Sequence, residues 1–432
     1  VAARLNTVVD VAERQLCLGC GACAYLDPAR LRMVDASKQG RRPVAVGAGP
    51  SAGDAAARDA LAVCPGADHS AHHDLSAPGL IAELSPSWGP VLQMWEGHAT
   101  DDATRFRASS GGAASAIATW CIEKGGMHGV LHIAAREDVP YLNETVLSTS
   151  RAQIVERSGS RYAPASPCDG LQMIEDAPGP CVFIGKPCDC VAVGRTRRIR
   201  PALDKNVGLV IGIFCAGTPT TEGTLALLKR MGIDDPSTVR SVRYRGDGWP
   251  GRAVAVVDAG GKLETRTLTY QEAWGEVLVE HKQWRCNLCP DRTGETADVS
   301  VGDPWWGGVP DDAPGRSLVI ARTERGRRII REAVAAGYLA LEPMENWKLR
   351  ASQPYFPPLR GSIWGRLLTL RAMFAPAPVC TGYFLFRHWV RDLSLLEKVK
   401  SFVGTARRVV SKRLRSRRPV EELPGSRRSA EG

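Results

Sequence analysis

The chain has 432 residues, 44% apolar and 24% charged, with 13 cysteines and a formal charge of +10. That composition is globular, with room for two or three domains; no apolar run reaches the roughly 18 residues of a membrane span, and VAARLNTVVD lacks a secretory-signal pattern. From Lys398 onward 11 Lys/Arg stand against three Glu, so +8 of the +10 lies there, the remaining +2 leaves residues 1–397 near neutral, and a general nucleic-acid grip over the globular part is excluded.

A cytoplasmic setting is therefore expected, and there an odd number of cysteines points to metal or redox chemistry rather than disulfides. Residues 17–23 read CLGCGAC, and a distant Cys64 precedes Pro65. Three close thiols, glycine in the turns and a remote Cys-Pro follow the spacing of a ferredoxin-type 4Fe-4S site, with a structural zinc knot as the alternative. Asp27-Pro28 stands near where many ferredoxins have their next Cys-Pro, so one cluster is expected in this segment, held by Cys17, Cys20, Cys23 and Cys64. Gly47, Gly49 and Gly53 imitate a dinucleotide turn, but their GxGxxxG spacing leaves no room for a strand–helix–strand unit before Cys64. They are expected in a surface loop leading into a helix. His69, His72 and His73 are expected to be solvated, and SAPGL and SPSWGP read as a linker.

From Trp88 the chain alternates apolar runs with glycine turns. Ser109, Ser110, Gly111 and Gly112 precede a helix carrying Ile117, Trp120 and Cys121, which suits either a phosphate at a helix N-terminus or a plain serine cap. GVLHIAA reads as a strand, and SGSRYAPAS adds a second glycine-serine turn with Arg161 and Tyr162. GPCVFIGKPCDCVAV and NVGLVIGIFCAG each run strand, cysteine turn, and then into a helix, which predicts an α/β core. Lys186 beside Cys188 sets a cation next to a cluster or cofactor, or else snorkels to solvent. Cys286 and Cys289 in WRCNLCP make half a metal site, and Cys188 and Cys215, both delivered by apolar runs of strand length, are the candidates for the other half. Cys121, Cys168, Cys181, Cys190 and Cys380 are expected as small core residues.

In that order, CLGCGAC with its later CPG, RASSGG, GSRY, FIGKPC, GIFCAG and CNLCPDRTGETADVSVGD resemble the beta-subunit family of coenzyme F-420 hydrogenases and dehydrogenases, which includes 7-hydroxymethyl chlorophyll a reductase. The likeness runs from Cys17 to about Leu341. It implies an oxidoreductase passing electrons between a hydride carrier, reduced coenzyme F-420 first among them, and two 4Fe-4S clusters through FAD. The second cluster would use Cys188, Cys215, Cys286 and Cys289. Ser109, Ser110, Gly111, Gly112, Gly159, Ser160, Arg161, Tyr162 and Lys186 would lie near FAD, with Lys186 as the catalytic cation. Lys186 and Asp189 replace a smaller residue and a glutamine common in relatives, and FCAG replaces a common FCHG.

The expected fold is mixed α/β (α+β): a ferredoxin-like 4Fe-4S segment over residues 1–85, a flavin-binding and second-cluster core over 86–345, and a helical basic tail over 346–432. Two rival functions share parts of the pattern. One is a ferredoxin- or NAD(P)H-dependent reductase of a small organic substrate, chlorophyll-reductase-like or associated with a polysaccharide pathway. The other is a non-enzymatic, zinc-knotted membrane-surface adaptor. Expected partners are a redox protein or ferredoxin and a small hydride donor, with no nucleic acid. In the tail, Phe386, Trp389, Leu393, Leu396, Val399, Val403, Ala406, Val410 and Leu414 recur at helical steps among nine Lys/Arg between Lys398 and Arg418. Residues 380–418 thus suit either an anionic membrane surface at the inner face or the protein's own core.

Overall fold

The structure, a computed structural model, describes residues 5–308 and 313–426; the end of the 346–432 tail lies outside them. After the first cysteines comes an antiparallel hairpin of β1 (Leu31–Ala36) and β2 (Gly40–Ala45). The main sheet begins with β3 (Gln93–Ala99), β4 (Gly129–Ala135), β5 (Asn143–Ser148), β6 (Cys181–Gly185) and β7 (Val207–Ile213). A separate three-stranded antiparallel sheet follows, from β8 (Val239–Arg243), β9 (Ala253–Asp258) and β10 (Leu263–Leu268). The chain then returns with β11 (Val299–Gly302), β12 (Ser317–Ala321) and β13 (Leu339–Pro343) to complete eight strands in the order β13-β3-β12-β11-β7-β6-β4-β5.

The class is mixed α/β, as expected. Strands β4, β6, β7 and β11 are parallel, and antiparallel strands flank them on both sides. VGLVIGI of β7 and SLVIA of β12 are almost continuously apolar and buried, the pattern of strands covered on both faces. Parallel neighbours need crossovers, and the helix Pro187–Ile199 makes the one between β6 and β7. Because β6, β7 and β11 point the same way, the residues that leave them, Lys186, Phe214 with Cys215, and Asp303, emerge at one edge of the sheet. In α/β sheets that edge is where ligands bind.

Several expectations change. The three stretches divided at 85 and 345 interlock, since Val11 and Cys17, Trp284 and Leu288, and Leu370, Val409 and Leu414 share one apolar cluster. SPSWGP is no linker: Trp88 is buried, and the carbonyls of Trp88 and Pro90 accept from the buried guanidinium of Arg322. His69 is fully buried near Tyr383, and His73 is half-buried 3.4 Å from Glu295; His72 alone of the three is exposed. Gly47, Gly49 and Gly53 do sit in a surface loop before the helix Ala55–Ala62, which leads to Cys64.

The tail helix Leu395–Ser411 docks on the helix Phe356–Ala372 through Ser401, Thr405 and Val409. Its apolar stripe therefore does not line the core: Phe386, Leu396, Val399, Val403 and Val410 are exposed, while Leu393 and Leu414 at the two ends are buried. Among the described residues no helix is long and apolar enough to cross a membrane.

Candidate functional site

The N-terminal cysteines sit in a loop shaped by glycine. Gly19 and Gly21 take positive φ (76° and 93°), and a Cβ on Gly19 would meet the Arg41 carbonyl oxygen at 2.7 Å. The Gly19 N–H points back to Cys17 Sγ at 3.3 Å. Cys17, Cys20, Cys23 and Cys64 all line one small cavity. Burial pushes the Cys23 and Cys64 thiols up, Cys64 to about 12, and neighbouring thiols of the set add to the rise. Cys20 is the exception, held down chiefly by a hydrogen bond from the Cys168 thiol, so Cys168 is a partner of this set as well as a core residue.

The second set comes from three separate loops. Cys188 lies in the first turn of the helix after β6, Cys215 follows β7, and Cys286 and Cys289 flank the exit of a short 3-10 turn. The Cys215 N–H donates to the Arg292 carbonyl at 2.9 Å, the Thr218 N–H to Cys286 Sγ at 3.4 Å, and Cys289 Sγ to the Asp291 carbonyl at 2.8 Å. Buried Asp291 organises DRTGET by accepting the N–H groups of Thr293, Gly294 and Glu295. Burial raises the Cys188, Cys215 and Cys289 thiols, and each of the three also feels another thiol of the set. Lys186, Arg292 and Arg285 pull the other way. Among the described residues, no three His, Cys, Asp or Glu gather as a single-ion site; a zinc knot needs four ligands within ~2.3 Å of one atom.

The two sets adjoin. Leu18 of the first loop packs with Cys188 and Cys286. Fully buried Arg285 donates to the carbonyls of Pro65, Gly66 and Leu288, tying the Cys64 turn to the Cys289 loop. Buried Arg42, which donates to Gln283 Oε1 at 2.9 Å, lies in the field of both Cys17 and Cys286.

Against the second set, at the sheet edge, lies a cavity of about 320 Å³, within the size range of small-molecule sites. Ser109, Ser110, Gly112, Gly159, Ser160, Arg161, Tyr162 and Lys186 line it, together with residues 215–218, so it reaches Cys215 itself. The two glycine-serine turns meet here, because the Ser160 N–H donates to Ser109 Oγ. The helix Ala113–Glu123 opens on it with Gly112 as cap at positive φ, and its first amide, that of Ala113, donates to Ser317 Oγ at 3.4 Å. Ser109 and Ser110 thus do not cap this helix, and its N-terminus faces a cavity, an arrangement that suits a phosphate.

Three expected residues behave differently from the rest. Gly111 is not among the lining residues: its amide donates to Ser317 Oγ at 2.9 Å, and a Cβ there would strike the backbone of Gly97 and Ser317 at 2.7 Å. The Arg161 guanidinium is held by Asn143 Oδ1 and by the carbonyls of Val242 and Pro140, so most of its donors are spent bracing the wall. Lys186 Nζ lies 2.7 Å from Asp189 Oδ2, and Asp189 is completely buried. Burial alone would lower the Lys186 pKa, yet Asp189 and then Cys188 hold it above the usual value, so the cation persists beside the cavity. Lys186 and Asp189 are thus partners in one ion pair.

Most of the remaining wall escapes sequence reading. Buried Arg245 grips Asp303 through both carboxylate oxygens at 2.9 and 2.6 Å, and Trp249 Nε1 donates to the same carboxylate at 2.8 Å. The Arg245 guanidinium stands over the rings of Tyr270 and Trp305 at 5.0 and 5.2 Å, and Tyr162 packs on Trp274 at 4.7 Å. His132 donates to or accepts from Ser148 Oγ at 2.8 Å; burial, with Arg157 nearby, lowers its pKa to about 4, so it stays neutral. Gln353 and Phe356 line the cavity from the tail, where Gln353 donates to the Asp303 carbonyl at 3.1 Å. RYRGDGW and DPWWG concentrate Arg, Asp and Trp in short stretches, the one local signal of this wall.

Residues 94–172 match the family described as coenzyme F-420 hydrogenase/dehydrogenase beta subunit, N-terminal part, and residues 180–346 match the C-terminal part of the same subunit. Cys17, Cys20, Cys23 and Cys64 lie outside both segments. The chain is 24% identical over 250 residues to the F-420-dependent formate dehydrogenase 1 subunit beta of Methanococcus maripaludis, covering 57% of this chain but only 60% of that protein. It is 24% identical over 270 residues to the coenzyme F-420 hydrogenase subunit beta of Methanosarcina barkeri, covering 61% of this chain and 86% of that one. A chain of the F-420-reducing [NiFe] hydrogenase complex from Methanosarcina barkeri aligns with a TM-score of 0.48 at 21% identity, over 62% of this chain and 92% of that one. The two family segments together span more than half of the chain, which therefore belongs to the coenzyme F-420 hydrogenase/dehydrogenase beta-subunit family, a family of oxidoreductase subunits.

Proposed function

We propose that the chain is an iron–sulfur flavoprotein that moves electrons between a hydride carrier and two 4Fe-4S clusters. The observation that carries this reading is that Cys215 belongs to both the second thiol set and the cavity wall, with Lys186 beside it on that wall. Four thiols per set that, among the described residues, do not gather as a single-ion site suit cluster corners better than zinc. A flavin supplies, when bound, the exchange between a two-electron hydride and single electrons. The chain's own residues do the rest. The N-terminus of the helix Ala113–Glu123 suits its phosphates, Lys186 keeps a positive charge beside its ring, and Tyr270 and Trp305, backed by the Arg245–Asp303 pair, form a flat aromatic wall for a planar donor.

Reduced coenzyme F-420 is the donor favoured by family membership. The relatives are named as subunits, which supports a redox partner protein for this chain too. The Lys186–Asp189 pair, at positions where relatives commonly differ, favours keeping a second donor class, ferredoxin or NAD(P)H, in view. Anaerobic purification with iron, sulfide and flavin analysis is expected to give about eight iron atoms and one FAD per chain. Zinc without iron after anaerobic reconstitution would end the redox reading. In stopped-flow mixing, reduced coenzyme F-420 is expected to bleach the flavin faster than NADH or NADPH, and bleaching by NADPH alone would select the second donor class.

A further inference from the structure

A helix on a globular surface normally turns its apolar stripe inward. Leu395–Ser411 does the reverse. Gly365 of the helix Phe356–Ala372 approaches it so closely that a Cβ there would meet Ser401 Oγ at 2.1 Å. The Ser401 and Thr405 hydroxyls donate to carbonyls of their own helix, at Lys398 and Ser401, at 2.6 and 2.8 Å, so small polar residues can serve as its packing face. Outward, Leu396, Val399, Val403 and Val410 follow at three- to seven-residue steps with 62%, 48%, 47% and 65% exposure, and Leu395 widens the strip. Exposed Phe386, stacked on Trp389, stands on the helix just before.

At about 100° per residue, Lys400 and Arg407 fall along one border of this strip. Lys412, Arg413 and Arg415 are exposed beyond its end. The helix's one acid, Glu397, is engaged by the Ser394 capping box. Arg417 bonds to Asp10 and Glu13 at 2.6 and 2.8 Å, fixing the helix end to the N-terminal cysteine segment. An exposed apolar strip bordered by cations and lacking a free acid is complementary to an anionic surface with an apolar layer beneath. A second copy fits less well, because a two-fold contact through this strip would bring the same cationic borders together.

We propose that this face seats in the headgroup layer of an anionic lipid bilayer and holds the redox body at a membrane surface. The inference does not depend on the cofactors. Its test is co-sedimentation of the full chain with phosphatidylglycerol vesicles and, separately, phosphatidylcholine vesicles. Most of the protein is expected to sediment with phosphatidylglycerol at low salt and little with phosphatidylcholine, and added salt is expected to release it. Val399→Glu with Val403→Glu should cut that binding by about tenfold or more while elution volume and circular dichroism stay as in the parent. Lys400→Gln with Arg407→Gln should weaken it severalfold with the strip intact. No sedimentation with phosphatidylglycerol, or unchanged binding in both variants, would overturn the proposal. A parent dimer that the Val399/Val403 variant disperses, without vesicle binding, would assign the face to a second copy instead.

Discussion

The two thiol sets are assembled by opposite routes. Three thiols of the first set share a seven-residue loop, and two glycines at positive φ do the shaping. The second set is assembled by the sheet, with two of its thiols arriving just past parallel strands that end at one edge. Their electrostatics differ as well. Both sets feel cations, Arg42 and Arg285 at Cys17 and Lys186 at Cys20, but Arg292 joins Lys186 and Arg285 around Cys188, Cys215 and Cys289, where Asp189 and Asp291 oppose them. Cations and access to solvent favour the reduced, more negative form of a cluster, so the second set, with Arg292 beside it and the cavity reaching Cys215, is expected to hold the one of higher potential. Local spacing therefore makes a site, but the fold decides how it is poised.

The hardest break of this comparison is a ligand substitution. Cys286→Ser is expected to remove about half of the iron and leave the N-terminal cluster, and Cys20→Ser to do the reverse, read by iron content and electron paramagnetic resonance. Loss of both signals from either change would mean that the sets are not independent. Next comes Arg245→Met, which strands the Asp303 carboxylate and the indole N–H bonded to it. About 3 kcal/mol of stability and much of the flavin are expected to go, with the N-terminal cluster spectrum unchanged, as checked by thermal melting and flavin content.

Those two predictions differ in how far the sequence foretold them. CLGCGAC is contiguous, so three candidate ligands are legible at once. Cys188 and Cys215 are legible only because apolar runs announce strands; nothing local says that the strands are parallel neighbours. The Arg245–Asp303 pair joins residues 58 positions apart, beyond the reach of spacing arguments. Gly111 looked like part of a phosphate turn, but its missing side chain serves backbone packing against Gly97 and Ser317. The tail stripe has the predicted period, yet periodicity says only which residues share a face. The Gly365–Ser401 approach is what turned that face outward.

Smaller effects sharpen the contrast. Arg42 lies in the field of both Cys17 and Cys286, so Arg42→Gln is expected to make both cluster potentials more negative in a redox titration, whereas Lys186→Met, which acts on Cys188 and Cys215 and only last on Cys20, should move the second more than the first. The smallest effect is one of pH. His132 titrates near 4 in the folded chain against an ordinary 6.5, so between those values the unfolded chain binds the extra proton. Its contribution to stability is complete above about 6.5 and is lost as the pH falls toward 4. The melting temperature of His132→Asn should therefore decline less than that of the parent between pH 7 and pH 5.

The account is tested most directly by a redox titration of the anaerobically reconstituted full chain, followed by electron paramagnetic resonance. Two cluster signals are expected, with the higher-potential one absent from Cys286→Ser and retained in Cys20→Ser. A higher-potential signal that survives Cys286→Ser and vanishes in Cys20→Ser would place the poised cluster at the wrong set and contradict the account.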